Sequence, residues 1–255
     1  MNAADEYLHQ FEALNRWFET DMGKMVLEHE REVLQQLVEG LFGYYLLELG
    51  WLCDMPSYTQ ASPIRGFYRI NPCHDAESQL VAMPEAVPIA TDSVDAVVLP
   101  HTLDFADDPR QVLREVERIL IPEGRVVIVG FNPYSLWGLR RRLPGASQRL
   151  PWRGHFISWG RVQDWLSLLG FDIEQTRNLL FRPPWKKAFL HRRFHRLDRI
   201  AQRYLAGFAG VYVLVAVKRV STLTPVGLRW KLRRRPARAP VQPVANCVRA
   251  QKNDG

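Results

Sequence analysis

Between Val94 and Val129 the chain sets a strand, a helix and a second strand in unbroken order, and no other segment limits its fold as tightly. Val94–Pro100 is short and β-branched, as a strand buried on both faces requires. A polar turn follows from Asp104 to Pro109. Asp107 or Asp108 can accept bonds from the first free N–H groups of a helix, and Pro109 suits its opening turn, where a missing donor costs nothing. Val112, Leu113, Val116, Ile119 and Leu120 recur at helical spacing, with Arg114, Glu115, Glu117 and Arg118 mostly opposite them. Pro122 and Gly124 end the helix. Val126–Val129 supplies the second strand, and a unit of this length closes as a right-handed parallel crossover.

The rest of the chain extends this unit. Residues 5–40 read as one or two helices, with Leu8, Phe11, Leu14, Trp17 and Phe18 on one stripe, Met25, Val26, Leu34, Leu37 and Val38 on the next, and Gly23 separating them. Residues 43–50 give the first strand, 66–70 the second and 79–83 the third. Pro56 and Pro63 leave little room for a long helix after the first strand, and 71–78 is too short for a full crossover helix. Residues 135–142 and 149–153 make a basic, Trp-containing connection. A helix is expected over 157–169, capped by Ser158, with Val162, Trp165, Leu166 and Leu169 inward and Gly170 ending it. Residues 171–180 and 211–217 are the sixth and seventh strands. Between them, residues 185–205 set Leu190, Phe194, Leu197, Ala201, Tyr204 and Leu205 on a stripe apart from Lys186, Lys187, Arg192, Arg193, Arg196, Arg199 and Arg203. This basic amphipathic helix either docks on its own domain, lies in a membrane interface or receives an anionic substrate.

Composition narrows the function classes. A chain of 255 residues, 47% of them hydrophobic, is long enough for one sizeable core. Without a run of 18 apolar residues or a secretory signal pattern, the expectation is a soluble, cytoplasmic protein. Cys53, Cys73 and Cys247 lack C-x-x-C spacing and suggest neither a metal site nor a disulfide frame. The net charge of +7 resides in residues 221–255, which hold eight basic residues against Asp254, together with four prolines. Such a segment is expected to be disordered, serving as an attachment to nucleic acid or an anionic membrane, or as a solubilising appendage. Phosphate-loop, zinc-protease and serine-hydrolase motifs are absent from the sequence.

The segments VPIATDSVD, AVVLPHTLDF, DDP and RILIPEG are similar to the text of the methyltransferase type 11 family, within the class I S-adenosylmethionine-dependent methyltransferases. That family writes LPF, an acidic turn, SFD, an apolar strand, LxH, DP and RxLxPGG. Glu123 stands here where the family has its first glycine. The resemblance implies an α/β, Rossmann-like sheet of seven mostly parallel strands, the last antiparallel. An N-terminal helical cap (1–42) precedes the methyltransferase-like domain (43–220), a helix is inserted between the last two strands, and 221–255 forms the basic tail. It implies S-adenosylmethionine as cofactor. The family's E-x-G-x-G-x-G falls on Glu48, Gly50, Leu52 and Asp54, so the acid and first glycine remain. Cofactor contacts are then expected from Glu48, Leu49, Gly50 and Trp51, from Met83, Pro84 and Glu85, where Met83 replaces the acid that meets adenine, and from Pro100. The ribose-gripping acid has Asp75 and Glu77 as its nearest candidates.

His101, beside the methionine part of the cofactor by resemblance, is either a base near neutral pH or an imidazole bonded to a neighbouring loop. Asn132 either binds an acceptor group or caps the turn into Ser135. Three functions follow as expectations. The first is methyl transfer to an acceptor the sequence does not name, anionic or membrane-proximal given the basic segment 186–203 and the tail. The second, motivated by Leu52, Asp54 and Met83, is an inactive methyltransferase-like binding or scaffold protein. The third makes the tail a tether to RNA or an anionic membrane.

Overall fold

The computed structural model describes residues 13–50, 62–72, 78–141, 154–180 and 208–220. Among them a seven-stranded sheet runs in the order β3-β2-β1-β4-β5-β7-β6. Its strands are β1 (Tyr45–Leu49), β2 (Gly66–Asn71), β3 (Leu80–Val81), β4 (Val94–Pro100), β5 (Leu120–Phe131), β6 (Phe171–Leu179) and β7 (Val211–Lys218). β7 is antiparallel to both its neighbours, and every other pairing is parallel. Trp51, Leu52, Asp54, Asp75, Glu77, the 185–205 segment and the tail lie outside the described residues.

Alternation along the strands divides the core in two. Ala96 and Val98 of β4 and Val211, Val213 and Val215 of β7 face the N-terminal helices, whereas Val97, Leu99, Tyr212, Leu214 and Ala216 face the other layer. On the first face lie α1, described over residues 13–18, and α2 (Asp21–Val38). The break between them falls at Glu19–Thr20, not at Gly23 as the sequence suggests. Thr20 caps α2 by accepting from the Gly23 N–H at 3.2 Å. Gly23 sits inside the helix because a Cβ there would come within 2.3 Å of the Trp17 carbonyl oxygen.

The second face is covered by α4 (Pro109–Ile119) and α6 (Trp159–Leu168). Asp108 caps α4, accepting from the N–H groups of Arg110 and Gln111 at 3.0 and 3.2 Å, and Pro109 occupies its first turn. Val112, Leu113, Val116 and Ile119 are fully buried, each contributing about 1.5–3 kcal/mol over an exposed position. The helix passes directly into β5, whose pairing with β4 is interrupted between Val94 and Ala96, and Glu123 takes a left-handed backbone (φ 65°) in that irregular stretch. Two short helices, α3 (Thr102–Phe105) and α5 (Leu136–Arg141), follow β4 and β5.

Candidate active site

Open parallel sheets present ligand-binding groups at the carboxyl ends of their strands. Here that rim holds Gly50 after β1, His101 after β4 and Asn132 after β5. At the β1 tip Glu48 is fully buried and meets Arg69, its register partner on β2, at 3.1 Å. A second contact, from Arg69 Nη2 to Glu48 Oε2, measures 3.5 Å. Leu49 is buried, and its carbonyl accepts from the Thr102 hydroxyl, which ties α3 to the end of β1. An added Cβ at Gly50 would stand 3.2 Å from Pro100 Cγ and 3.3 Å from Glu48 Oε1. The three residues therefore converge, and a side chain on Gly50 would require Pro100 or Glu48 to give by a few tenths of an ångström.

His101 occupies the left-handed region (φ 56°, ψ 10°). Such a backbone costs a side-chain-bearing residue about 1–2 kcal/mol, so surrounding bonds must hold it. Its N–H donates to the Val129 carbonyl at 3.0 Å. Its ring is completely buried, with Nε2 at 2.9 Å from Glu30 of α2 and Nδ1 at 3.0 Å from Asp104 of α3. The ring stacks on Phe131, 4.1 Å between centroids. Burial works against a charge on this imidazole, but Glu30 and Asp104 outweigh it and push its pKa up to about 9. Burial raises the Asp104 carboxyl above its ordinary range despite the bond from His101. His101 is thus an imidazolium at neutral pH with both N–H groups donated to carboxylates. Both ring nitrogens are engaged by neighbouring side chains. Asp104 Oδ2 also accepts from the Phe131 N–H at 2.9 Å, joining the β4 and β5 tips. Among the described residues, Asp104 Oδ1 and Glu30 Oε2 are buried without a hydrogen-bond partner.

Asn132 is buried and accepts from the Tyr134 N–H at 3.0 Å through its side chain, while its carbonyl takes the Ser135 hydroxyl at 2.6 Å. It shapes the turn into α5. Pro84 is buried, and Met83 is partly buried against the core on the α2 side. Glu85 accepts from the Asp107 N–H at 3.1 Å, and burial raises its carboxyl pKa. Glu48, Leu49, Gly50, Pro100 and His101 are thus brought together at the β1 and β4 tips, Met83–Glu85 follow β3, and Asn132 stands at β5.

Glu30, Arg69, Thr102 and Asp104 were not singled out from sequence. Glu30 had a signal: it interrupts the buried stripe Val26, Leu34, Val38 at helical spacing, where an acid needs a partner. Arg69 is an arginine inside a buried strand, a weaker form of the same signal.

The residues at the β1 tip fit the amino-acid end of S-adenosylmethionine in two respects. A buried acid and base, Glu48 and Arg69, match an ammonium and a carboxylate, and Gly50 leaves the backbone close to anything beside it.

The methyltransferase domain profile matches residues 68–128. An uncharacterized Escherichia coli K12 protein, YafS, is 28% identical over 209 residues, 82% of each chain. An uncharacterized Mycobacterium tuberculosis H37Rv protein is 29% identical over 182 residues, 68% of this chain and 62% of that one. Among solved structures, a SAM-dependent methyltransferase from Thermotoga maritima superposes with a TM-score of 0.57 at 16% identity, over 84% of this chain and 98% of that chain. That likeness concerns the fold, with β7 reversed between β5 and β6 as the sequence resemblance implied. In the matched segment 68–128 and in the order of its sheet, the chain is similar to the S-adenosylmethionine-dependent methyltransferases.

Proposed function

We propose that the protein transfers the methyl group of S-adenosylmethionine to an acceptor approaching the β4–β5 side of the rim, with the cofactor held by Glu48, Leu49, Gly50 and Pro100 on one side and Met83, Pro84 and Glu85 on the other. The observation that carries this reading is the convergence of Gly50, Pro100 and Glu48 on one narrow strand tip within a methyltransferase sheet. The cofactor, when bound, supplies a methyl group already activated on a sulfonium, so the protein's task is alignment more than proton transfer.

Each residue's part follows from its surroundings. Glu48 suits the ammonium and Arg69 the carboxylate of the cofactor's amino-acid end. Met83 offers a polarizable face to an adenine ring, and Glu85 an acceptor for its amino group. His101 acts as a positioning residue, since its ring is fully committed to Glu30 and Asp104 and fixes the left-handed turn after Pro100. Asn132 sets the turn that faces the acceptor. The excess of basic residues in the 186–203 segment and the tail favours an anionic acceptor.

Calorimetric titration with S-adenosylhomocysteine tests the assignment. Binding at one site per chain is expected, with Gly50→Val weakening it at least tenfold while the thermal transition of the free protein persists. Neither heat nor a thermal shift at millimolar ligand would overturn the reading.

A further inference from the structure

We infer that Glu30 and Asp104 are specificity-determining residues for the cofactor site assigned above, their buried charge favouring cationic S-adenosylmethionine over S-adenosylhomocysteine, the demethylated product that is neutral at sulfur. This selectivity rests on the methyl-transfer reading and adds to it the means by which spent cofactor is exchanged for fresh.

The charges around one imidazole decide the sign. Nε2 of His101 lies 2.9 Å from Glu30 Oε1, and Nδ1 lies 3.0 Å from Asp104 Oδ2. An ionised carboxylate only accepts, so each ring nitrogen carries a proton and the ring one positive charge. Asp104 Oδ2 also takes the Phe131 N–H at 2.9 Å, which leaves that oxygen no room for a proton of its own. A proton on Asp104 Oδ1 or Glu30 Oε2 would find no acceptor among the described residues. Two carboxylates against one imidazolium leave one negative charge uncompensated. All three side chains are fully buried, with the rings of Phe18 and Phe131 packed on the imidazole at 5.8 and 4.1 Å between centroids. A charge in such surroundings is felt over a longer range than one in water. The other buried pair of the rim, Glu48 and Arg69 at 3.1 Å, cancels itself.

The cluster is tied to the strand tips that the cofactor is assigned to. His101 directly follows Pro100, the Thr102 hydroxyl donates to the Leu49 carbonyl, and Asp104 holds the first residue past the buried run of β5 through the Phe131 N–H. With the amino-acid end of the cofactor assigned to Glu48 and Arg69 and the acceptor to the β4–β5 tips, the reacting sulfur belongs between them, on the side of Pro100 and this cluster. Methyl transfer takes the positive charge off that sulfur. An uncompensated negative charge nearby therefore separates the two forms of the ligand without touching either. A merely structural role needs one carboxylate for one imidazolium. The second adds desolvation with no further positive charge to meet it, a penalty that an amide in its place would avoid while still accepting from the ring.

The test is calorimetric titration of the full-length protein at neutral pH with S-adenosylmethionine and, separately, with S-adenosylhomocysteine, read as the ratio of the two dissociation constants. The wild type should bind S-adenosylmethionine the more tightly. The isosteric double variant E30Q/D104N keeps oxygens that accept from the ring and removes both carboxylate charges, and the preference should fall about fivefold or more. Substitution H101Q removes the positive charge instead and should leave the preference equal or greater. Lost packing alone would weaken both ligands together in either variant and leave the ratio where it was. The proposal is overturned by a wild type that binds the product more tightly, by an unchanged ratio in E30Q/D104N, or by a fall in H101Q like that of the double variant. If E30Q/D104N shows no melting transition, the wild-type ratio and H101Q still decide. Binding of both ligands with no such preference removes this proposal alone, whereas no heat from either ligand with the wild type removes the methyl-transfer assignment and the selectivity with it.

Discussion

The two rims of the sheet are held by different means. On the N-terminal rim, charged side chains clamp backbone: Asp95 accepts from the N–H groups of Tyr44 and Tyr45 at 2.9 and 2.8 Å. Arg118 donates to the carbonyls of Val87 and Ile89 at 2.9 and 2.8 Å while paired with Glu115. Lys218 donates to the Glu117 and Leu120 carbonyls at 2.7 and 2.8 Å and pairs with Asp92. On the C-terminal rim, charges compensate charges in a dry interior, through Glu48–Arg69 and through Glu30–His101–Asp104. Clamped backbone that loses its side-chain partner can draw on water at the surface. A buried charge that loses its partner has nothing else, so the C-terminal rim should be the less forgiving of the two.

The largest test of that contrast is Glu30→Ala. It leaves a buried imidazolium with Asp104 as its remaining counter-charge among the described residues and should lower unfolding free energy by about 3–5 kcal/mol in urea titration. If Glu30→Ala costs less than the loss of a clamp on the other rim, the contrast is broken.

Next in size is the response to pH. The folded-state pKa of His101, about 9, lies above the ordinary value of 6.5. Its contribution is therefore complete below pH 6.5 and is lost as pH rises through about 9. Asp104 is shifted in the same direction and acts with the same sign at lower pH. Stability should fall on the order of 2–3 kcal/mol between pH 6.5 and 9.5. The slope should flatten in H101Q, and an unchanged slope there would assign the effect to other groups.

How much of this was legible in the sequence follows the same division. The family pattern in 87–133 is largely a record of the N-terminal rim and of α4: Asp95, Asp108, Pro109 and Arg118 each have a bond or a turn to account for them. Those partners lie on nearby elements with their own hydropathy and cap signals, so β4 and the start of α4 could be read directly, whereas α4 ends at Ile119 and β5 begins at Leu120, ahead of the stop expected at Pro122 and the strand expected from Val126. The site could be read only in part. Gly50 and His101 carried a motif, but Glu30 reaches His101 across 71 residues and Arg69 reaches Glu48 across 21. Pairings at such separation depend on which helix lies over which strand tip, and a local pattern does not contain that information. The misplaced break at Gly23 has a similar origin. A glycine in a helix looks like a terminus until the close approach of the Trp17 carbonyl shows why no Cβ fits.

On the N-terminal rim, Arg118→Ala removes the donors to Val87 and Ile89 at a partly exposed site. About 1–2 kcal/mol is expected from urea titration, with cofactor binding unchanged. A larger loss, or a weakened cofactor, would mean that the two rims are coupled through β4.

The smallest effect has the opposite sign. Glu123 stands where the family has glycine and holds a left-handed backbone, φ 65°, a conformation that costs a residue with a Cβ about 1–2 kcal/mol relative to glycine. Glycine recovers that strain but gives the unfolded chain more entropy to lose, about 0.5–1 kcal/mol. The substitution also removes an ion pair with Arg219, both partners being largely exposed, where screening leaves little to lose. Arg219 keeps Asp172 at 3.2 Å in any case. Glu123→Gly should therefore stabilise the fold slightly, by about 0.5 kcal/mol, a rise of one or two degrees in Tm for a domain of this size. A loss of stability would show that the Glu123–Arg219–Asp172 cluster outweighs backbone strain, and that even the exposed rim relies on charge pairing.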